Sequence, residues 1–244
     1  MSRVHTRTIL LGIVAVSAAL GCVRLGFWQL DRLAQRRARN ALLRERALGG
    51  AESVDVLRGL DTSAIHWRHV TLRGVADYDA EVVQASRSQR GAPGVYLVTP
   101  VRPLGQGWGD TAILLVRGYV YAPDGRSIDR VAARERDTLQ LETLVTAFAA
   151  HRAGNVTLPS DDRAVNALDR DSLEAKMRIP LAPFVLLALG DSVTRDIGRP
   201  ARVTPPSLSE GAHQSYAVQW FSFATVAIVG FVAYVLSARS TARA

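Results

Sequence analysis

Two apolar stretches near the ends of the chain decide its fold class: TILLGIVAVSAALGCVRLGFW at residues 8–28 and YAVQWFSFATVAIVGFVAYVL at residues 216–236. A helix rises about 1.5 Å per residue, so roughly 20 apolar residues cross the hydrocarbon core of a bilayer. Each stretch therefore predicts a transmembrane helix. Two such spans place both termini on one side of the membrane and residues 29–206 on the other, where the chain is long enough for one compact domain.

The orientation of the spans is argued from their flanks. Arg3 and Arg7 before an apolar run are typical of an export signal, which predicts cytoplasmic tails at residues 1–7 and 238–244 and an extracytoplasmic middle, in a multi-pass protein of the bacterial cytoplasmic (inner) membrane. A plain count of positive charges favours the opposite topology, because more arginines follow the first span than occur in either tail. A cleaved signal, or a lipoprotein signal ending at Cys22, is the alternative interpretation. The apolar run continues beyond that cysteine, which favours an uncleaved span.

The charge of the chain comes almost wholly from arginine. Its formal net charge is +8, and Lys176 is the single lysine. Several arginines directly follow the first span, so anionic lipid headgroups explain them better than nucleic acid does. Cys22 is the only cysteine, which excludes a disulfide within the chain and a CxxC redox or copper-delivery site. The common hydrolase and nucleotide-binding motifs are absent from the sequence, and no pairing of acid, base and nucleophile emerges from it. The family resemblance described below implies a protein that is not an enzyme.

The middle of the chain predicts a mainly-β domain with few helices, arranged as an antiparallel sheet, a sandwich or a partly closed barrel. Residues 29–48 contain no Gly or Pro and carry apolar residues at helical spacing, so the first span is expected to continue as an amphipathic helix. Residues 169–176 predict a short helix. Runs rich in Val, Leu, Thr and Tyr predict strands at residues 67–77, 81–88, 95–103, 112–122, 137–149 and 184–189.

The second span is expected to begin above the membrane. Ser207 and Glu210 fit a capping box after two prolines, which predicts a helix over residues 207–237. Such a helix is about 45 Å long, whereas the lipid core needs only about 30 Å. Its first turns are therefore expected to stand outside the lipid core.

One face of this helix joins His213 and Trp220 across small residues, with Tyr216 beside them. Arg24 and Trp28 of the first span lie at the same predicted depth, where an arginine snorkels to the interface. A flat apolar ligand with anionic edges fits such a set: imidazole to a metal, indole to a ring face and guanidinium to a carboxylate. The alternative is that the aromatic residues are interfacial anchors and that His213 meets only water or a headgroup.

Two other groups of residues are weighed for chemistry. His66 and His69 lie at the start of a predicted strand, where side chains point to opposite faces, so the pair is not expected to chelate one metal. Arg117-Gly118-Tyr119 follows the most apolar run of the middle domain. It is interpreted as a buried strand that ends in a charged edge, with a partner-docking surface as the alternative.

The ends of the chain resemble the surfeit-locus family of cytochrome c oxidase assembly factors. LGFWQLDR at residues 25–32 is similar to the family's first signature, LGxWQLxR. HQSYAVQWF at residues 213–221 is similar to its closing signature, HxxYAxQWF. The two blocks lie at the edges of the two spans.

Three blocks between the ends extend the resemblance in family order. The run from residue 67 to Gly74 resembles the strand pattern RxVxxxG, and GVYLVTP at residues 94–100 resembles the family's G…TP element. VRGYV resembles its NRGWV strand, with Val116 and Tyr119 in place of the asparagine and the tryptophan. The family's Asn- and aromatic-rich segment later in the domain has no clear counterpart.

The resemblance implies a chaperone of the respiratory chain that assists the assembly of a haem–copper (cytochrome c) oxidase, by handling haem a during its insertion into subunit I. The haem a synthase is a further candidate partner. His213 matches the family position proposed as an axial haem ligand, and would bind the haem iron only. Tyr216, Trp220, Arg24 and Trp28, which spacing and depth put near it, are the further candidate haem contacts. Binding would be transient, because a carrier must release haem. A scaffold that binds oxidase intermediates without haem is the alternative, and an unrelated sensor or adaptor with two anchors is a third.

Overall fold

The chain folds into two compact units, Met1–Leu42 together with Ser207–Ala244, and Leu43–Pro206. The structure is a computed structural model that describes residues 3–150, 163–190, 199–205 and 207–241. The predicted tails at residues 1–7 and 238–244 lie partly outside the described residues.

Two helices are long and apolar enough to cross a membrane: α1 (Arg3–Ala47), of 45 residues, and α4 (His213–Thr241), of 29 residues. The first unit contains α4 and all of α1 up to Leu42. Helix α1 joins residues 8–28 and 29–48 without a break and is about 67 Å long at 1.5 Å per residue. Many of the large apolar side chains on both helices are exposed, as at Ile13, Leu20 and Val226. So large an apolar surface is unfavourable in water and indicates association with a membrane.

Helix α4 begins at His213, later than the predicted start at residue 207. Glu210 does not complete a capping box, because its carboxylate accepts two hydrogen bonds of 3.0 Å from Arg37 of α1. Gly211 adopts φ +72°, a left-handed conformation that is incompatible with continuing an α-helix. The capping-box prediction is therefore wrong, and His213 is the first residue of α4.

The second unit is mainly β, as predicted, and its described strands form one sheet. Their bounds are β1 (Glu52–Ser53), β2 (His69–Ala76), β3 (Val82–Gln89), β4 (Ala92–Pro103), β5 (Ala112–Tyr121), β6 (Thr138–Thr146), β7 (Ala164–Val165) and β8 (Leu181–Ala188). Short helices accompany them: α2 (Thr62–Ile65), α3 (Arg170–Met177) and a 3-10 turn at Val54–Leu57.

Five of these strands close into a barrel in the order β2-β6-β8-β5-β4, because β4 pairs again with β2. The pairs are antiparallel except for β5 and β8, which run parallel; helix α3 lies between them in sequence. Strand β4 is long enough to pair with β3 near its start and with β2 near its end. The two ends of the sheet are the two-residue strands β1 and β7.

Gly74 marks the point where the barrel closes. It pairs with Pro103 of β4, and a Cβ added to it would lie 2.5 Å from Cγ1 of Val101 and 2.6 Å from the carbonyl oxygen of Arg102. The absence of a side chain therefore lets β2 and β4 approach within hydrogen-bonding distance.

Strand β5 is the centre of the core and is buried from Ala112 to Tyr119. Its two faces pack into different apolar clusters. Ile113 and Leu115 face a cluster that includes Trp108 and Phe184, whereas Leu114 and Val116 face one closed by α3. The near-continuous apolar sequence of this strand follows from burial on both faces.

Candidate functional site

Helices α1 and α4 pack antiparallel along a seam of small residues. A Cβ added to Gly12 would lie 2.8 Å from the Phe231 ring, and one added to Gly26 would lie 2.7 Å from the Phe221 ring. Phe221 also packs edge-on against Phe27, with ring centroids 5.5 Å apart. Small residues also occupy buried or half-buried positions along the two helices: Ala15, Ala19 and Cys22 on α1, and Ala217, Ala224 and Ala227 on α4. Small residues allow close approach of helices where lipid supplies no hydrophobic driving force.

We expect Gly26→Leu to open this seam, because the new side chain would occupy the space of the Phe221 ring. Overpacking of this kind costs about 1–3 kcal/mol. Labelling of Cys22 by N-ethylmaleimide in detergent should then be about tenfold faster, since 1.4 kcal/mol is a factor of ten. Gly21→Leu is the matched control, because a Cβ on Gly21 meets nothing within 4 Å. Equal labelling rates in both variants would contradict the packing described here.

Polar contacts hold the start of α4 against α1. The Nδ2 group of Asn40, a buried residue, donates to the carbonyl oxygen of Leu208 at 2.7 Å. Arg37 forms its two-pronged ion pair with Glu210, and this hydrogen-bonded carboxylate raises the pKa of the guanidinium. Both contacts precede His213, so the chain entering α4 is fixed at the level of its first turn.

The imidazole of His213 is half-buried and joins the two helices. Its Nδ1 lies 2.8 Å from Oε1 of Gln29. An amide oxygen only accepts hydrogen bonds, so Nδ1 is the donor in this contact; in the neutral imidazole, Nε2 then keeps its lone pair. Within the described part of the chain, Nε2 has no hydrogen-bond partner. This is the arrangement typical of metal-binding histidines, in which the other ring nitrogen donates to a carbonyl or carboxylate.

Tyr216 and Trp220 lie on α4 close to the face of His213. Tyr216 is 50% exposed, and Trp220 is half-buried with its ring edge-on to Phe223, 5.9 Å between centroids. At 100° per residue, these two residues lie within about 60° of His213 around the helix. They are therefore placed to flank a flat group bound at the imidazole.

Arg24 and Trp28 lie on a different face of α1 from the one that meets α4. They line an open groove of about 630 Å³ on α1. The groove is completed by Leu20, Val23, Leu25, Phe27 and Asp31, and no described residue of α4 lines it. At 100° per residue, Arg24 and Trp28 lie roughly opposite Gly26, which faces α4. The structure thus places these two residues on a face of α1 away from His213, and contact of all five side chains with one ligand stays a prediction.

A buried polar cluster in the barrel was missed by the sequence analysis. Arg117 is fully buried, and its guanidinium donates to Glu81 at 2.6 Å, to Thr99 at 2.9 Å and to Glu135 at 2.8 Å. It also stacks on Tyr78, 5.0 Å from the ring centroid. Burial alone would lower the pKa of Arg117, but the two glutamates outweigh it and hold that pKa above its ordinary value.

The Arg117-Gly118-Tyr119 motif is accordingly structural. Leu97 pairs with Gly118 and Val98 with Val116, so Arg117 is the extra residue of a β-bulge, which turns its side chain into the core. Gly118 has φ +150° and approaches the Ala201 carbonyl closely. The interpretation of a charged strand edge is wrong. A single arginine within the most apolar strand was the signal that could have identified a buried pair.

His66 and His69 of the barrel unit are engaged in structural contacts. His69 places Nδ1 2.9 Å from the Gly49 carbonyl and Nε2 3.2 Å from Glu142. His66 packs its ring edge-on against Trp67. Among the residues that the structure describes, no cluster of His, Cys, Asp and Glu could hold a metal ion.

Comparison with known proteins places this architecture in a family. A sequence model of the SURF1 family matches residues 16–225, which is most of the chain. A SURF1-like protein of Rickettsia felis is 25% identical over 216 residues, covering 87% of this chain and 91% of that protein. SURF1-like proteins of Rickettsia conorii and Rickettsia prowazekii are 26% and 23% identical, covering 87% and 86% of this chain and 85% and 83% of those proteins. The family expected from the order of sequence blocks is confirmed: the chain belongs to the SURF1 family.

Proposed function

We propose that this protein is a non-enzymatic assembly factor for a haem–copper oxidase, and that it handles haem a as cargo during insertion into subunit I. Membership of the SURF1 family, known for oxidase assembly factors, supports the general role. The observation that carries the specific role is the hydrogen bond between Nδ1 of His213 and Gln29. With Nδ1 engaged in this way, Nε2 would bind iron through its lone pair.

The residues present fit a transiently bound haem. His213 would supply one axial nitrogen, and Tyr216 and Trp220 would contact the macrocycle beside it. One protein ligand on an accessible helix edge suits release better than a closed site with two histidines would. Arg24 and Trp28 line a groove on the far face of α1, so a haem at His213 would be held without them.

We place the protein in the bacterial inner membrane with two spans and its β unit extracytoplasmic. The length and exposed apolar surface of α1 and α4 support the membrane assignment. Arg24 then lies one turn before the interfacial Trp28, where it can reach headgroups at low cost. At about 1.5 Å per residue, Arg36 and Arg39 of the unbroken α1 are about 12–17 Å beyond Trp28 along its axis. Contact with lipid headgroups therefore accounts for Arg24 and Arg32, but it accounts less well for the arginines further along α1.

A scaffold that binds oxidase intermediates without haem is the second candidate. Two observations favour it: His213 already has a structural role between the helices, and the groove at Arg24 and Trp28 is separate from it. On this alternative, the groove would contact a protein partner and His213 would only pair the helices.

Visible absorption separates the two candidates. Wild-type protein purified from haem-a-producing cells should show a Soret band, and His213→Ala should lose most of it because the iron ligand is gone. Removing only the group that hydrogen-bonds to a metal ligand costs about 10–100-fold in metal affinity. Removing the ligand itself should cost at least as much.

Oxidase activity measured in the same strains completes this test. His69→Ala, a histidine substitution in the barrel unit, should leave both the band and the activity unchanged. Equal Soret bands in wild type and His213→Ala would exclude the haem ligand and leave the scaffold.

A further inference from the structure

We infer that Gln29 is a positioning residue that selects the tautomer of His213 and thereby presents Nε2 to a metal. The inference rests on the proposed function for its use, but the hydrogen bond itself is independent of haem. It joins residues 184 positions apart in the sequence, at 2.8 Å. Neither LGFWQLDR at residues 25–32 nor HQSYAVQWF at residues 213–221 indicates this pairing by itself.

The seam of the helix pair orients the Gln29 side chain. Gln29 is half-buried one turn after Gly26, whose missing side chain lets α4 lie close to α1. Its amide is therefore directed at the first turn of α4. Asn40 and Arg37 hold residues 208–210 from the same helix, so His213 meets Gln29 in a constrained geometry.

The chemical consequence follows from the two ring nitrogens. A neutral imidazole bears one proton, and the hydrogen bond made by one nitrogen decides which carries it. An acceptor at Nδ1 keeps the proton there, makes Nε2 a stronger donor and fixes the plane of the ring. Without the acceptor, the proton can move to Nε2 and block the atom that would bind iron.

Nitrogen NMR of the full chain tests the tautomer without any haem. The chain has five histidines, so ring-¹⁵N-labelled protein in nanodiscs is compared with His213→Ala to assign the His213 signals. The expected result is a protonated Nδ1 in wild type. Gln29→Leu should lose the preference for a protonated Nδ1. Gln29→Glu should retain it, because a carboxylate also accepts a hydrogen bond from Nδ1.

Titration with ferric protohaem tests the use of that tautomer. Gln29→Leu should bind protohaem about tenfold more weakly than wild type, and Gln29→Glu should recover most of the affinity. Gln219→Leu is the matched control, since Gln219 is an exposed glutamine of α4. Circular dichroism of each variant verifies that the helices are intact, and Gln29→Glu keeps the test decisive if Gln29→Leu does not fold.

Each outcome has a distinct meaning. A protonated Nε2 in wild type, or a tautomer unaffected by Gln29→Leu, overturns the inference whatever haem does. A tautomer change with unaltered protohaem affinity, while His213→Ala loses binding, overturns the positioning role and supports the haem proposal. A tautomer change when wild type and His213→Ala bind protohaem equally supports the Gln29 hydrogen bond and overturns the proposed haem function.

Discussion

Arg117→Met should lower the free energy of unfolding of the barrel unit by about 3–5 kcal/mol. The substitution leaves the Glu81 carboxylate, only 3% exposed, without the cation that offsets its burial. The Thr99 hydroxyl and the Ala133 carbonyl also lose their donor. Removing one member of a buried ion pair is far more costly than removing an exposed charge, because the remaining ion has no water to solvate it.

Urea unfolding of the full chain in detergent, followed by the intrinsic tryptophan fluorescence to which core Trp108 contributes, measures this loss. Arg73→Met on β2 is the matched control, because Arg73 is exposed and should change the free energy by less than about 0.5 kcal/mol. Adding Glu81→Gln to Arg117→Met should restore part of the stability, since the unpaired charge is then removed. A loss below about 1 kcal/mol in Arg117→Met would contradict the burial of this pair.

Gly74→Val should destabilise the barrel by about 3 kcal/mol, at the upper end of overpacking effects. A Cβ at this position already lies 2.5 Å from Val101 and 2.6 Å from the Arg102 carbonyl, and a branched side chain adds two methyl groups. The clash is with backbone as well as side chain, so rotamer changes cannot relieve it. The strand pair β2–β4 that closes the barrel should separate first.

Hydrogen exchange of the β2 and β4 amides, together with urea unfolding, measures this effect. Gly50→Val is the matched control, because nothing lies within 4 Å of a Cβ there and the position is exposed. Faster exchange confined to β2 and β4 is the expected pattern. Equal stability of the two variants would argue against a closed barrel.

Local patterns in the sequence predicted the elements well. The strands predicted at residues 67–77 and 112–122 correspond to β2 and β5. Alternating or continuous burial of a strand gives a local pattern of apolar residues, which can be recognised in the sequence. Closure of the barrel was only one of three predicted arrangements. It depends on β2 meeting β4, a pairing that no local pattern encodes.

The candidate site shows the same limit. Depth in the membrane follows from sequence spacing, so Arg24, Trp28 and His213 were placed at one level. Their faces depend on which side of α1 meets α4, and that is set by Gly12 and Gly26 beneath two phenylalanine rings. The hydrogen-bond partner of His213 could not be predicted from sequence spacing either, because Gln29 is distant in sequence. The capping box failed because Arg37 competes for the glutamate it requires.

The two-residue strands at either end of the described sheet limit how other proteins can recognise it. The terminal strands of that sheet, Glu52–Ser53 and Ala164–Val165, are each too short to template an incoming strand of ordinary length. Edge-to-edge β-pairing through these two strands is thereby disfavoured. A protein that met either terminal strand would have to recognise side chains, so its specificity should follow surface composition rather than backbone complementarity.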